Sequence, residues 1–370
     1  MKLTFSREAL LSGINIVSKA VPSKTTMTIL ECILIDATDN IIKMTANDME
    51  LGIETIAEGT IHKKGKVALD AKLFYEIVRK LPNSEVTIEI DDKFNTLITC
   101  EKSKFTIQGK SGEDFVYLPY IEKNKYLSLS QYTLKEVIRQ TIFSLSLADN
   151  NKLMTGELFE VNENILKVVS LDGHRISIRN ITLKDNYDDI KVIVPGKTLN
   201  EISKILLEDN SKEVLLFFTD NHILFEFDNT VVVSRLIEGE YFKIDQMLSS
   251  DYETKVAINK KELLDCIDRA ILLVKENDKR PIIMDISDDV MQLNLNSIIG
   301  SMNEDISINK TGKDIKIGFN PKFLMDALRV IDEEEITIYL VNYKAPCFIK
   351  DKDDRYTYLI LPVNIHSSDN

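Results

Sequence analysis

Three short segments of the chain share one pattern at a constant spacing. Each segment is an apolar strand followed by a helix-start residue and then a lysine, at Lys72, Lys197 and Lys322. Both intervals are 125 residues, about a third of the 370-residue chain and an ordinary length for one domain. The spacing therefore predicts a threefold internal repeat.

Each copy of the repeat contains two amphipathic helices and a series of alternating strands separated by turns. The six predicted helical segments are 6–20, 70–80, 130–147, 195–207, 259–275 and 320–330. This order of elements predicts an α+β fold of three similar repeated domains, each with two helices and antiparallel sheets. The predicted domains span residues 1–122, 123–249 and 250–370.

The predicted helices carry a net positive charge, whereas the rest of the chain is strongly negative. With 59 acidic and 46 basic residues the net charge is -13, yet each helical segment sums to +1. The helices together carry +6 and the remainder -19. If the helices line one surface, that surface suits phosphates bound without base specificity. The alternative is that one net charge per helix is noise on solvated faces.

Cysteine usage and the N-terminus indicate a soluble cytoplasmic protein. Cys32, Cys100, Cys266 and Cys347 lie far apart without a C-x-x-C pair, which favours buried free thiols over a disulfide framework or a zinc site. The first residues lack an apolar signal region, and no stretch reaches the ~20 apolar residues that cross a bilayer.

Catalytic signatures are missing from the sequence. It has no H-E-x-x-H, G-x-S-x-G, Walker lysine loop or G-x-G-x-x-G, and only 13 glycines. Acidic pairs such as Asp91-Asp92 and Asp288-Asp289 fall at predicted turns, where Asp favours the tight backbone. We therefore expect a protein without catalytic residues, cofactor or metal.

Two segments stand out as candidate sites. Asp172-Gly173-His174-Arg175 is a hairpin signal, but the first copy has Asp48 and then Glu50 at the positions of Asp172 and His174. The turn therefore does not require His-Arg, and a site special to the second copy is one interpretation beside a solvated turn. The apolar strand that ends at Leu361-Pro362-Val363 is either a buried closing strand or an edge that receives a partner peptide.

Five features of the sequence together carry a family resemblance: the repeat, the Asp172-Gly173-His174-Arg175 turn, Val194-Pro195-Gly196-Lys197, Gly318-Phe319-Asn320 and the terminal Leu361-Pro362-Val363. In these features the chain resembles the bacterial sliding clamp family, the beta subunit of DNA polymerase III. The resemblance covers essentially the whole chain. It implies the DNA-clamp fold closed into a head-to-tail homodimeric ring, with helices around duplex DNA. It further implies a non-enzymatic processivity factor, loaded by an ATP-dependent clamp loader, that tethers the replicative polymerase during replication and repair.

The resemblance also implies site residues. Lys24, Lys72 and Lys197 match DNA-contacting positions, and Lys152 lies on a loop that touches single strands, although Leu153 replaces an aromatic residue there. At the ring interface, Phe105 and Ile107 of one chain would pack against Ile271 and Leu272 of the other. A cleft for short linear motifs of the polymerase, the clamp loader and repair proteins is implied at Met154, Leu171, Gly173, His174, Arg175, Ile176, Phe242, Met247, Asn320, Phe323, Pro346, Leu359, Leu361, Pro362 and Val363.

Two positions depart from the family's cleft. Phe242 stands where a proline is common and Gln246 where an arginine is common, so the motif preference is expected to differ. Two other function classes remain open on the sequence alone. One is a metal-dependent phosphodiesterase that uses Asp172 and His174, and the other is a peptide-binding repeat scaffold unrelated to DNA.

Overall fold

The computed structural model describes residues 1–146, 151–248, 251–275 and 280–365. The predicted domain boundary at 249/250, Leu147 at the end of the third predicted helical segment, and His366 lie outside these ranges. The chain forms two compact units, one from Met1–Lys135 with Lys197–Leu236 and one from Glu136–Gly196 with Ile237–Asn370.

The first unit contains two antiparallel sheets. Its strands are β1 (Lys2–Ser6), β2 (Cys32–Asp36), β3 (Ile42–Asn47), β4 (Leu51–Ala57), β5 (Thr60–Lys63), β6 (Lys66–Asp70), β7 (Glu85–Ile90), β8 (Asn95–Cys100), β9 (Ser103–Gln108), β10 (Lys110–Ser111), β11 (Lys125–Ser130), β16 (Glu213–Phe218), β17 (His222–Phe227) and β18 (Thr230–Arg235). The five-stranded sheet has the order β5-β1-β7-β8-β9, and the nine-stranded sheet has the order β10-β6-β2-β3-β4-β18-β17-β16-β11.

The second unit repeats this plan with sheets of nine and four strands. Its strands are β12 (Gly156–Asn162), β13 (Ile165–Leu171), β14 (Arg175–Thr182), β15 (Ile190–Pro195), β19 (Thr254–Asn259), β20 (Ile282–Ser287), β21 (Val290–Asn296), β22 (Ser301–Ser307), β23 (Asn309–Gly312), β24 (Ile315–Phe319), β25 (Glu335–Leu340), β26 (Cys347–Lys350) and β27 (Tyr356–Ile360). The orders are β15-β12-β13-β14-β27-β26-β25-β19-β23 and β22-β21-β20-β24.

Each nine-stranded sheet joins strands from two predicted repeats. In the first unit β4 pairs with β18, which sets Gly52 opposite Val233. In the second unit β14 pairs with β27, which sets Ile176 opposite Leu359. The backbone ladder therefore continues across the predicted boundaries between repeats, and the two compact units do not coincide with the three predicted domains. The exact domain boundaries stay a prediction.

Six α-helices occur in the described residues, two for each predicted repeat. They are α1 (Arg7–Val17), α2 (Ala71–Lys80), α3 (Gln131–Thr141), α4 (Gly196–Ser203), α5 (Lys260–Ile271) and α6 (Pro321–Val330). A side-chain oxygen of Ser6, Asp70, Asn259 or Asn320 caps the first backbone N–H groups of α1, α2, α5 and α6. None of the described helices is long and apolar enough to cross a membrane.

Several helices end earlier than their apolar periodicity predicts. α1 ends at Val17 and continues as a 3-10 turn over Ser18–Ala20. α4 ends at Ser203 rather than 207, because Lys204 and Ile205 donate to carbonyl groups only three residues back. Such tighter turns satisfy the last carbonyl groups, and the apolar side chains beyond them still reach the core.

The apolar faces of these elements form the core. One apolar cluster of the second unit packs α5 and α6 against strands of the same unit, with Leu263, Ile267, Leu324 and Leu328 fully enclosed. All four cysteines are buried free thiols, in agreement with the sequence-based prediction.

Glu157 on β12 is a fully buried carboxyl group. Thr141 Oγ1 lies 3.1 and 3.0 Å from its two oxygens and itself donates to the Val137 carbonyl at 2.7 Å. Burial without a cationic partner raises the pKa of Glu157 to about 8. The carboxyl group is therefore protonated in the folded protein at neutral pH and can donate to the threonine oxygen.

This proton makes the stability depend on pH. Between about pH 5 and pH 8 the unfolded chain loses the Glu157 proton while the folded chain keeps it, so stability falls by about 1.4 kcal/mol per pH unit. Glu157→Gln should remove this slope, and its unfolding free energy should rise relative to the unsubstituted protein as pH increases. Urea unfolding at pH 5, 6, 7 and 8 measures the difference.

Glu160→Gln is the matched control, because Glu160 lies on the same strand and pairs with exposed Lys191 at 3.0 Å. Its effect should be the same at each pH. A Glu157→Gln difference that does not change with pH would show that the carboxyl group is ionised in the folded state.

Candidate functional site

The turn between β13 and β14 is held by one carboxylate. Asp172 Oδ1 accepts the backbone N–H groups of His174 at 2.9 Å and Arg175 at 3.1 Å. Gly173, between Asp172 and His174, has a φ of +86°, a conformation that glycine adopts without steric cost. The Asp-Gly pair is therefore explained by the turn itself, and His174 is left exposed at the surface.

Arg175 is a partly buried centre of contacts, with only 10 % of its side chain exposed. Its guanidinium donates to Asp172 Oδ2 at 3.0 Å, to Asp326 Oδ2 at 2.6 Å and to the Phe143 carbonyl. It also lies 4.4 Å from the centroid of the Phe323 ring. These contacts tie the β13–β14 turn to α6 and fix the ring of Phe323.

An apolar cluster lies beside this turn. Leu171, Ile176 and Leu359 are buried in it, and Met154 and Phe242 pack against it while partly exposed. The five residues come from a 3-10 turn, three strands of one sheet and the segment after β18, so the fold brings together positions far apart in sequence.

The C-terminal segment closes one side of the same region. The Leu361 N–H donates to the His174 carbonyl at 2.8 Å, and the Val363 N–H donates to the Gly318 carbonyl at 2.8 Å. Leu361 keeps 38 % of its surface exposed, and Pro362 between the two donors cannot extend the ladder. Apolar side chains at the end of β27 are thus presented beside the turn.

The helix α6 contributes Asn320 and Phe323. Asn320 Oδ1 caps the helix by accepting the Lys322 N–H at 3.0 Å, and the Phe323 ring stacks on the His174 ring at 6.1 Å. Met247 ends a 3-10 turn and is exposed, and Pro346 is half-buried before β26. Neither of these two belongs to the apolar cluster formed by the described residues.

Two partners of Arg175 were not anticipated from the sequence. Asp326 and Phe143 are 151 and 32 residues away, and no motif links them to the turn. Tyr241 is a further addition, since its hydroxyl donates to the Val169 carbonyl at 3.3 Å beneath Phe242. The only sequence signal for it is its aromatic neighbour.

The predicted DNA-contacting lysines are all exposed. Lys24 follows the 3-10 turn after α1, Lys72 lies in the first turn of α2, and Lys152 begins a 3-10 turn. Lys197 on α4 forms an ion pair with the carboxylate of Asp48. Any phosphate that binds Lys197 must compete with this carboxylate, whereas Lys72 has no ion pair with another described residue.

The predicted interface residues lie on an edge strand, β9, and at the end of a helix, α5. Phe105 and Ile107 are on β9, an edge of the five-stranded sheet, and Phe105 is 40 % exposed. Ile271 ends α5, and Leu272 beside it is 77 % exposed. α5 is linked to β22, an edge of the four-stranded sheet, by the Arg269–Glu304 ion pair.

No group of three or more His, Cys, Asp or Glu side chains that could hold a metal ion occurs among the described residues.

Three family models match consecutive parts of the chain. The N-terminal, central and C-terminal domains of the DNA polymerase III beta subunit match residues 1–119, 128–243 and 245–364. The beta sliding clamp of Staphylococcus aureus is 34% identical over 99% of this chain and 100% of its own length.

Solved structures give the same result. A crystal structure from Eubacterium rectale, described as a DNA polymerase III beta subunit, has a TM-score of 0.96, 69% identity and coverage of 99% of this chain and 100% of its own. The DNA polymerase sliding clamp of Bacillus subtilis has a TM-score of 0.94 and 33% identity, covering 98% of this chain and 99% of its own.

The repeated α+β domains, their continuous sheets and their exposed edges define a clamp-type protein. The chain belongs to the DNA polymerase III beta subunit family, the bacterial sliding clamps. The predicted family, the DNA-clamp fold class and the sliding-clamp function are confirmed, and the individual site residues remain predictions.

The contacts of Arg175 yield a stability prediction. Arg175→Gln leaves the carboxylates of Asp172 and Asp326 without their cation, so we expect a loss of about 2 kcal/mol or more in unfolding free energy. Arg329→Gln is the control, since its pair with Asp268 is exposed on both sides and should be worth at most about 0.5 kcal/mol. Urea denaturation of both variants measures the contrast, and equal losses would contradict it.

Proposed function

We propose that this DNA sliding clamp of polymerase III works as a non-catalytic homodimeric ring that encircles duplex DNA and tethers the polymerase. The observation that carries this proposal is the full-length match to sliding clamps, together with exposed apolar side chains at Phe105 on the sheet edge β9 and at Leu272 after α5. An ATP-dependent clamp loader would place the ring on DNA. A cytoplasmic location and the lack of a cofactor belong to the same proposal.

The two edges are complementary. β9 presents Lys104 and Phe105, and β22 presents Asp305 with Leu272 nearby at the end of α5. Pairing β9 of one chain with β22 of another would satisfy both backbone edges and cover the apolar side chains. Such a contact is heterologous, and two chains close into a ring when it forms twice, once at each junction.

Binding to DNA would rely on phosphate contacts. Lys24, Lys72, Lys152 and Lys197 are exposed point charges without base-reading geometry, which suits a ring that slides. The Asp48 carboxylate lowers the contribution of Lys197, so Lys72 is expected to contribute more to the salt dependence. Weak individual contacts are sufficient, because encirclement itself keeps the protein on the DNA.

Partner proteins would bind the cleft beside the Asp172 turn. Leu361 and Val363, the Phe242 side chain and the ring of Phe323 offer apolar surface next to a fixed backbone turn. A short extended peptide with two apolar side chains fits this arrangement. Tethering by such a peptide raises the effective concentration of a polymerase at its template.

The ring predicts retention that depends on DNA topology. After loading by the cognate clamp loader and ATP, the protein should comigrate with nicked circular DNA in gel filtration and should be lost when that DNA is cut once. Leu272→Asp should produce monomers by sedimentation and should not be retained on the circle, because a carboxylate would be buried in the interface.

Lys72→Met separates topology from charge. It should weaken the initial association with DNA and lower its salt dependence, but the loaded ring should stay on the circle. Equal retention on circular and linear DNA would rule out encirclement.

The cleft predicts a loss of partner binding without loss of the ring. The double substitution Leu361→Ala and Val363→Ala should weaken a fluorescent peptide from the replicative polymerase roughly tenfold or more, since each truncation removes about 1 kcal/mol of apolar contact. Fluorescence anisotropy gives the affinity, and sedimentation should still show dimers. Ile298→Ala, at an 80 % exposed loop position, is the control; if it weakens binding equally, the peptide binds elsewhere.

A further inference from the structure

The β3–β4 turn of the first unit has the same construction as the Asp172 turn of the second. Asp48 Oδ1 accepts the backbone N–H groups of Glu50 at 3.0 Å and Leu51 at 2.7 Å, as Asp172 does for the two residues after Gly173. The two aspartates are 124 residues apart, so the internal repeat extends to individual hydrogen bonds.

The strand that closes each turn is also equivalent. The Arg235 N–H donates to the Glu50 carbonyl at 2.9 Å, and the Leu361 N–H donates to the His174 carbonyl at 2.8 Å. Arg235 therefore occupies in the first unit the place that Leu361 occupies in the second. In the same register, the pair Gly52 and Val233 corresponds to the cleft pair Ile176 and Leu359.

A cavity of about 340 Å³ lies beside the first of these turns. Its apolar wall includes Met49, Val116, Tyr117, Leu118, Pro119 and Val233. A Cβ atom on Gly52 would come within 2.0 Å of Leu118 Cδ2, so this glycine lets the leucine lie directly on the strand. Leu118 corresponds to Phe242, again 124 residues later, and both pack on the sheet next to their turn.

Met49 is strained and exposed at the mouth of this cavity. Its φ is +77°, close to the +86° of its counterpart Gly173, in a region that side chains with a Cβ atom enter only at an energetic cost. It nevertheless leaves 54 % of its surface in solvent. An apolar, flexible side chain held in this way is suited to contact a ligand rather than the core.

The polar side of the cavity carries a cation. The guanidinium of Arg235 has no ion pair within the described ranges of the chain, and it lines the cavity with His222 and Glu50. Burial, and then the charge of Arg235, lower the pKa of His222, which disfavours a second positive charge beside the guanidinium. Arg235 is therefore the group that would bind a carboxylate.

The geometry points to a second peptide-binding groove, formed by the β3–β4 turn, the segment 116–119 and the end of β18. Its occupant is a short extended peptide with one apolar side chain against Met49, Leu118 and Val233 and one carboxylate on Arg235. Alternate residues of an extended peptide face the same side, so the two side chains stand two positions apart. The choice of a peptide as occupant rests on the role proposed for the cleft beside Asp172.

The test uses the full-length protein with ¹³C-methyl methionine and two probe peptides. The first is acetyl-Ser-Leu-Ser-Asp-Ser-amide and the second has Asn in place of Asp. The Met49 methyl signal, assigned by its loss in Met49→Gly, should shift saturably with the Asp peptide. The Asn peptide should bind about tenfold more weakly, because it loses a charge-assisted contact. Arg235→Gln should abolish this difference.

Two variants separate this groove from the cleft and from a structural role. Leu361→Ala with Val363→Ala should leave the Met49 shift unchanged, whatever that variant does to the polymerase peptide. Met49→Gly should raise the melting temperature, since glycine adopts positive φ freely. The proposal is overturned if Met49 does not shift, if its shift is lost with the cleft variant, or if Arg235→Gln leaves the preference for Asp.

A shift that follows protein concentration without any peptide would instead identify a second copy of this chain as the occupant. That outcome also overturns the proposal. A Met49→Gly variant that melts at a lower temperature would assign the strained residue to stability and contradict its role as a contact for the peptide.

Discussion

The antiparallel ladder between consecutive repeats is the constraint on which the other features depend. β4 pairs with β18 and β14 with β27, so strands from neighbouring repeats share one hydrogen-bonded sheet. This pairing sets the register that brings Leu359 and Leu361 to the Asp172 turn, and Val233 and Arg235 to the Asp48 turn. A shift of one residue would turn the opposite set of side chains toward each site.

The larger plan of the fold follows from local patterns. Helix starts were visible at Asp70, Asn259 and Asn320, because a capping side chain and the apolar spacing after it both act over a few residues. Helix ends were less visible, since α4 stops through hydrogen bonds that propensity does not encode. The joining of repeats into common sheets is a long-range pairing, and the periodicity of single strands carries no information about it.

The sequence predicts some parts of the site and not others. The Asp172-Gly173 turn is a local signal, and its geometry agrees with that signal. The role of Arg175 could not be predicted from a local signal, because its contacts are with Asp326 and Phe143, which only the tertiary fold brings near. Glu157 gave no signal either, since an alternating strand with glutamates at 157 and 160 is expected to be half-exposed until the helix packed on it is placed.

The strand pairings within one chain and the proposed strand pairings between two chains depend differently on protein concentration. Strands β4 and β18, or β14 and β27, are tethered by the same chain, so dilution does not separate them. The edges β9 and β22 have no such tether, and in the proposed ring their pairing would obey mass action. A lower concentration of free clamps in the cell would therefore favour dissociation at the two β9–β22 pairings and would not affect the strand pairings within each chain. Opening of the proposed ring for DNA entry would then require the separation of β9 from β22 only, at the contacts that dissociate on dilution.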